Sequence, residues 1–234
     1  MQSRHFAWLS AVLVFACFAI PAARAQPQQS KGADEALKRG KELLASGEPE
    51  KALGKLDEAV KLDPKRAGAR VARAFVENAM KMYDAANADA SEALRLDPKN
   101  PDLKLTGAWF GTYVYPGGGI ASVRFRIFIV QDGKKISANV REPNTFWEGN
   151  PNVPRDVPFL HAVCEGEYDP ATRQFRFTKT YDGASGVSHS VEYSGTLSDD
   201  GTQVEGDWSI GGAGGTFRLQ KAKPGQRTDA ESTN

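Results

Sequence analysis

From Leu105 onward the apolar residues fall on alternate positions, and this period of two constrains the chain more than any other feature. In "ASVRFRIFIV", Val123, Phe125, Ile127 and Ile129 share one face while Arg124 and Arg126 take the other. In "LTGAWFGTYVY", Trp109, Gly111 and Tyr113 alternate with Ala108 and Thr112. Asp132-Gly133 reads as a hairpin turn, and Ile136, Ala138 and Val140 then repeat the alternation. After a proline-rich loop (143–157) come "FLHAVCEGEY", "QFRFTKTY", "VSHSVEYSGTL", "TQVEGDWSI" and "TFRLQ", separated by turns at Asp169-Pro170, Asp182-Gly183, Asp199-Asp200-Gly201 and Gly211–Gly215. Eight short strands with one apolar face predict an antiparallel up-and-down meander, long enough to close into a barrel without exposed edges. Gly107, Gly111, Gly195 and Gly206 share parity with the apolar residues and permit close approach of the wall there.

The preceding segment has a different period. "EAVKLDPK" (Glu58–Lys65) recurs as "EALRLDPK" (Glu92–Lys99). At the same offset, Gly40, Ala52, Ala59 and Pro64 in the first copy correspond to Ala74, Ala86, Ala93 and Pro98 in the second. Small side chains let helix axes approach, and proline stops a helix at the preceding turn. On these residues the segment resembles the tetratricopeptide repeat (TPR) family, whose unit is a helix hairpin of about 34 residues. The resemblance implies two hairpins over residues 33–104 and a surface for a protein partner. Two repeats leave an open end, so either the following domain covers it or the protein self-associates. Arg66, Arg70 and Arg73 form a stripe that either binds an acidic partner or is a solvated helix face.

Gly107-Ala108-Trp109 on the first strand resembles the G-x-W of lipocalin- and avidin-type barrels, and that resemblance implies a ligand cavity. The residues proposed to line it are Trp109, Tyr113, Phe125, Phe177, Lys179, Tyr181, His189, Tyr193 and Trp208. The alternative is that these aromatics fill the centre of a small barrel as its core. Lys179 follows Phe175 and Phe177 in phase, so it either meets an anionic head group inside or snorkels out at the rim. His189 alternates with Val187, Val191 and Tyr193, as a ligand's hydrogen-bond partner or as a core or rim histidine. Trp147, in the long loop, is a lid, a partner anchor or a ring packed on the barrel mouth.

The chain starts with a basic Arg4, an apolar run from Phe6 to Ile20, and Ala23-Arg24-Ala25 before Gln26. This is the layout of a cleaved secretory signal over residues 1–25, and the run is short for a stable membrane anchor. The expected location is therefore periplasmic or secreted. Residues 26–32 read as a linker and 222–234 as a disordered tail. Without the signal, which removes Arg4 and Arg24 from the 30 bases, 28 basic residues face 29 acidic ones. That balance gives no electrostatic case for nucleic acid. Cys17 leaves with the signal, so Cys164 has no internal disulfide partner.

Cys164 lies three positions after His161, and in a regular strand that spacing puts them on opposite faces. Cys164 accordingly reads as a core thiol. No P-loop, dinucleotide fingerprint or G-x-S-x-G occurs, and the two mature histidines make no metal cluster, so no cofactor, metal or catalytic residue is assigned. The fold class expected is α+β in two domains: two TPR-type hairpins, then an eight-stranded antiparallel up-and-down β-barrel over 105–221. The function expected is an exported, non-enzymatic binding protein, with a protein partner on the repeats and a small apolar or amphipathic ligand in the barrel. The alternatives are an assembly scaffold with a solid-core barrel, and a hydrolase pairing His161 with Glu165 or Glu167.

Overall fold

The computed structural model describes residues 26–117, 121–145, 156–183 and 185–223. Four helices precede the barrel: α1 (Gln26–Ala45), α2 (Pro49–Leu62), α3 (Ala67–Ala79) and α4 (Tyr83–Leu96). Helix α1 covers the stretch read as a linker, 26–32, where glutamine and lysine are good helix formers.

Each pair of helices forms a tight hairpin, and the second repeats the first at the sequence offset of the matched motifs, Pro49–Leu62 against Tyr83–Leu96. In the first, Gly40 lets α2 approach so closely that a Cβ there would lie 2.6 Å from Leu56 Cγ. Leu56, Ala52 and Ala59 are buried in that seam. Gly47 ends α1 at φ +75, and the Glu48 amide donates to the Leu43 carbonyl at 2.9 Å. Lys81 occupies the same place in the second hairpin with φ 61, and the Met82 amide donates to Glu77 O at 2.7 Å. A lysine in this left-handed conformation is strained where glycine would not be.

A short 3-10 turn (Pro101–Leu103) leads into strands β1 (Gly107–Val114), β2 (Val123–Asp132), β3 (Lys135–Pro143), β4 (Phe159–Asp169), β5 (Gln174–Tyr181), β6 (Ser190–Leu197), β7 (Gln203–Ile210) and β8 (Ala213–Lys221). They pair in sequence order, all antiparallel, and β1 pairs with β8 to close the barrel. The period-two pattern decides which side chains point inward: Trp109, Tyr113, Phe125, Ile127, Val140, Cys164, Phe177, Tyr193 and Leu219 are all buried inside. Gly111 has the same parity because the Phe125 ring lies on it, at 2.2 Å from where a Cβ would be.

The helices dock on the outside of this wall. Val71 and Ala74 of α3 and Ala86, Ala90 and Ala93 of α4 bury Val130 and half-bury Phe128 on β2. A polar clasp sets the register. Asn139 Nδ2 on β3 donates to Asn78 Oδ1 at 2.9 Å and to Asn87 Oδ1 at 2.8 Å, and Asn78 Nδ2 donates to Ser137 Oγ at 3.2 Å. Asn78 is fully buried, so these bonds are needed to offset its desolvation.

Candidate functional site

The sheet gathers one charged cluster inside the barrel. Lys179, on β5 between Cys164 of β4 and Val191 of β6, is 1 % exposed. It therefore does not snorkel to the rim. Its Nζ donates to Glu142 Oε2 at 2.8 Å, and the Tyr181 hydroxyl donates to the other carboxylate oxygen. Four rings surround the ammonium: Tyr181 at 4.5 Å, Tyr113 at 5.4 Å, Phe125 at 5.8 Å and Tyr193 at 5.9 Å to centroid. The electron-rich faces of these rings supply part of the solvation that water would have given. Burial, and then the Glu142 charge, pushes the Tyr113, Tyr181 and Tyr193 hydroxyls far above the ordinary phenol range, so they stay protonated donors. The His189 ring lies 4.7 Å from Tyr181; burial, then the nearby Lys179 charge, holds its pKa below the usual histidine value.

The proposed lining residues do not all meet here. Tyr113, Phe125, Lys179, Tyr181 and Tyr193 do, with His189 at the edge of the group in the turn before β6 rather than within a strand. Phe177 is stacked on Tyr193 at 4.7 Å, and Phe217 meets Tyr193 edge-on at 5.1 Å, so these rings pack against one another as core. Trp208 packs against Tyr113 and Tyr115, and its indole N–H donates to Val114 O at 3.1 Å. Trp109 lies at the opposite end. Its indole donates to Leu105 O at 2.8 Å, and beside it Gln131 ties the Leu105 amide, so this tryptophan plugs the barrel instead of contacting the polar cluster. Sequence reasoning misses Glu142, although it continues the inward phase of Ile136, Ala138 and Val140.

Cys164 faces the interior at 2 % exposure, and burial pushes its thiol far above the ordinary range, the opposite of an activated nucleophile. His161 is on the outer face, stacked at 5.7 Å on Tyr83 of α4. Glu165 shares that outer face four strand positions away, about 13 Å along a strand, too far to share a proton with the imidazole. Glu167 is further still. Among the described residues, no three His, Cys, Asp or Glu side chains are placed to hold a metal ion.

The arginine stripe is paired with carboxylates of the helical unit, Arg66 at 32 % side-chain exposure and Arg70 and Arg73 at 18 % and 20 %. Arg66 pairs with Asp34, Arg70 Nη1 reaches Asp89 at 3.0 Å, and Arg73 bridges Asp89 at 2.5 Å and Asp57 at 2.7 Å. Carboxylates from α1, α2 and α4 thus pair with all three. Trp147 lies outside the described residues, as do residues 1–25 and the tail from 224.

No protein-family model and no curated protein matches the chain. Among solved structures, it is similar to a point mutant of the fluorescent protein UnaG, at 12 % identity over 51 % of this chain and 97 % of that one, with a TM-score of 0.29. So loose a likeness says nothing of what this chain binds.

Proposed function

We propose that the protein is exported and non-enzymatic, and that its barrel takes a small amphipathic molecule whose anionic head exchanges with Glu142 at Lys179 and Tyr181. The carrying observation is the Lys179–Glu142 pair, at 2 % and 1 % side-chain exposure inside a barrel interior that is otherwise uncharged among the described residues. Replacing a buried ion pair by apolar residues of similar volume is often neutral or stabilising, so a barrel serving as core alone gains little from one. A ligand that needs a charged, hydrogen-bonding anchor among aromatic rings does gain from it. The constant sequence offset between the two hairpins supports a TPR-like unit, and with it a protein partner on the helices. Export rests on the signal-like layout of residues 1–25.

The stacked Phe177, Tyr193 and Phe217 rings favour a second reading, a solid-core barrel acting as a scaffold. Native mass spectrometry of the mature chain from its host's exported fraction separates the two. The binding reading expects a stoichiometric mass excess that is lost on denaturation and absent when Lys179→Met and Glu142→Gln are combined. A bare mass for the unaltered chain, or an excess retained in the double variant, removes the interior as the site and leaves the scaffold.

A further inference from the structure

We infer that the turn between β5 and β6, from Asp182 to His189, is a lid over the Lys179 end of the barrel, and that Lys81 of the α3–α4 turn is its latch. The helical unit thereby controls access to the interior, a role that rests on the interior being the binding site proposed above.

The turn covers as well as connects. Two residues suffice to link antiparallel strands, yet β5 ends at Tyr181 and β6 starts only at Ser190. Between them Val187 is drawn into the apolar core of the barrel, and Ser185 is buried too. Gly183 and Gly186 take φ 77 and 78, and the Gly186 amide donates to the Gly183 carbonyl at 3.1 Å. Glycine is unstrained at these angles, so the turn can change shape there at low cost. Where the turn rejoins the wall, the Tyr181 amide donates to the His189 carbonyl at 3.2 Å, and the two rings lie 4.7 Å apart. Tyr181 is also the residue that donates to Glu142. Lifting the turn therefore loosens the cover of the Lys179–Glu142 pair.

The latch occupies a strained backbone position. Lys81 holds φ 61 where the first hairpin has Gly47. Such strain persists where the surrounding contacts over-determine it. Here the contact is at the far end of the side chain: Lys81 Nζ donates to the carbonyl of Asp182, the first residue of the lid, at 2.9 Å. The Asp182 amide is held as well, donating to the His161 carbonyl at 3.0 Å, and the His161 ring is stacked on Tyr83 of α4. Burial, then the Asp182 charge, pushes the Tyr83 hydroxyl up to about 12, so that carboxylate also faces the helices. The α3–α4 turn thus grips the lid at its base. Another tether between helices and barrel, Lys41 to Asp132, is at the β2–β3 hairpin, the end that Trp109 plugs.

The test is the rate at which succinimidyl acetate acetylates Lys179 in the mature chain, read by peptide mass spectrometry. Lys179 is buried, so its labelling reports opening. Lys81→Gly and Lys81→Met both remove the ammonium, and each should raise the rate by about fivefold, the scale of one lost hydrogen bond. Lys81→Gly also relieves the backbone, so it should melt no lower than the parent, and global unfolding then cannot supply the increase. Lys41→Met cuts the tether at the other end and should stay within about twofold. An unchanged rate in either Lys81 variant, or an equal rise in Lys41→Met, would overturn the latch. The label needs no ligand, so the two readings fail separately. An empty barrel with a working latch defeats only the binding reading, and a loaded barrel without a latch defeats only this one.

Discussion

The barrel buries a charged pair and the helices half-bury a larger charged cluster, and they balance them differently. Inside the barrel one ammonium meets one carboxylate, and the second carboxylate oxygen is taken by Tyr181. Between α2, α3 and α4, two arginines meet three acids, and the short contacts all go to Asp89 and Asp57. Glu77 is left over. It is 5 % exposed, 3.8 Å from Arg73, and its Oε2 has no hydrogen-bond partner. Burial, and then the neighbouring Asp89 charge, pushes its pKa up to about 7. A buried carboxylate that is supernumerary to its cations and lacks a hydrogen bond is thus pushed up towards neutrality.

The largest effect should come from opening the balanced cluster. Lys179→Met leaves Glu142 buried without its cation, and should cost about 3–5 kcal/mol in urea unfolding, as for other broken buried pairs. Adding Glu142→Gln should recover most of that loss; a double variant as unstable as the single one would mean that packing, not charge, was lost. Removing the shared acid of the helical cluster is expected to be milder, because Arg70 and Arg73 retain 18 % and 20 % exposure. Asp89→Asn should cost about 2 kcal/mol and lower the Glu77 pKa, read by NMR titration, since a like charge is gone and Arg73 is released.

Glu77→Gln should give the smallest change and the opposite sign. Between the ordinary value of 4.5 and the folded value of about 7, the unfolded chain loses this proton while the folded chain keeps it. The group's contribution to stability therefore falls as pH rises through that window and is flat above it. The glutamine variant should be about 1 kcal/mol more stable than the parent at pH 8, with the gain gone at pH 4, where both states are protonated. Thermal melts at the two pH values decide it, and a gain equal at both would assign the effect to packing.

Much of this architecture is legible in the sequence for one reason: strand parity is local. All eight strands follow from alternation and turn residues, and so do the opposite faces of His161 and Cys164. Glu142 is equally legible by parity, but its position beside the prolines of the 143–157 segment makes it read as loop. What parity does not carry is which side chains meet. The arginine stripe reads as exposed because Asp57 and Asp89, its partners, are on other helices. Trp109 reads as lining because alternation says inward without saying which end.

The closing pair of strands has a consequence for how the molecule is made. Trp109 lies opposite Lys221, so the first and last strands of the barrel are neighbours although nearly the whole of the barrel sequence separates them. During synthesis β1 must wait with an unpaired edge until β8 has emerged, and such an edge is a template for pairing with another chain. The helices, whose contacts are local and form quickly, are already complete when β1 appears. Because α3 and α4 seat on β1 to β3, these strands have an intramolecular companion that does not depend on β8.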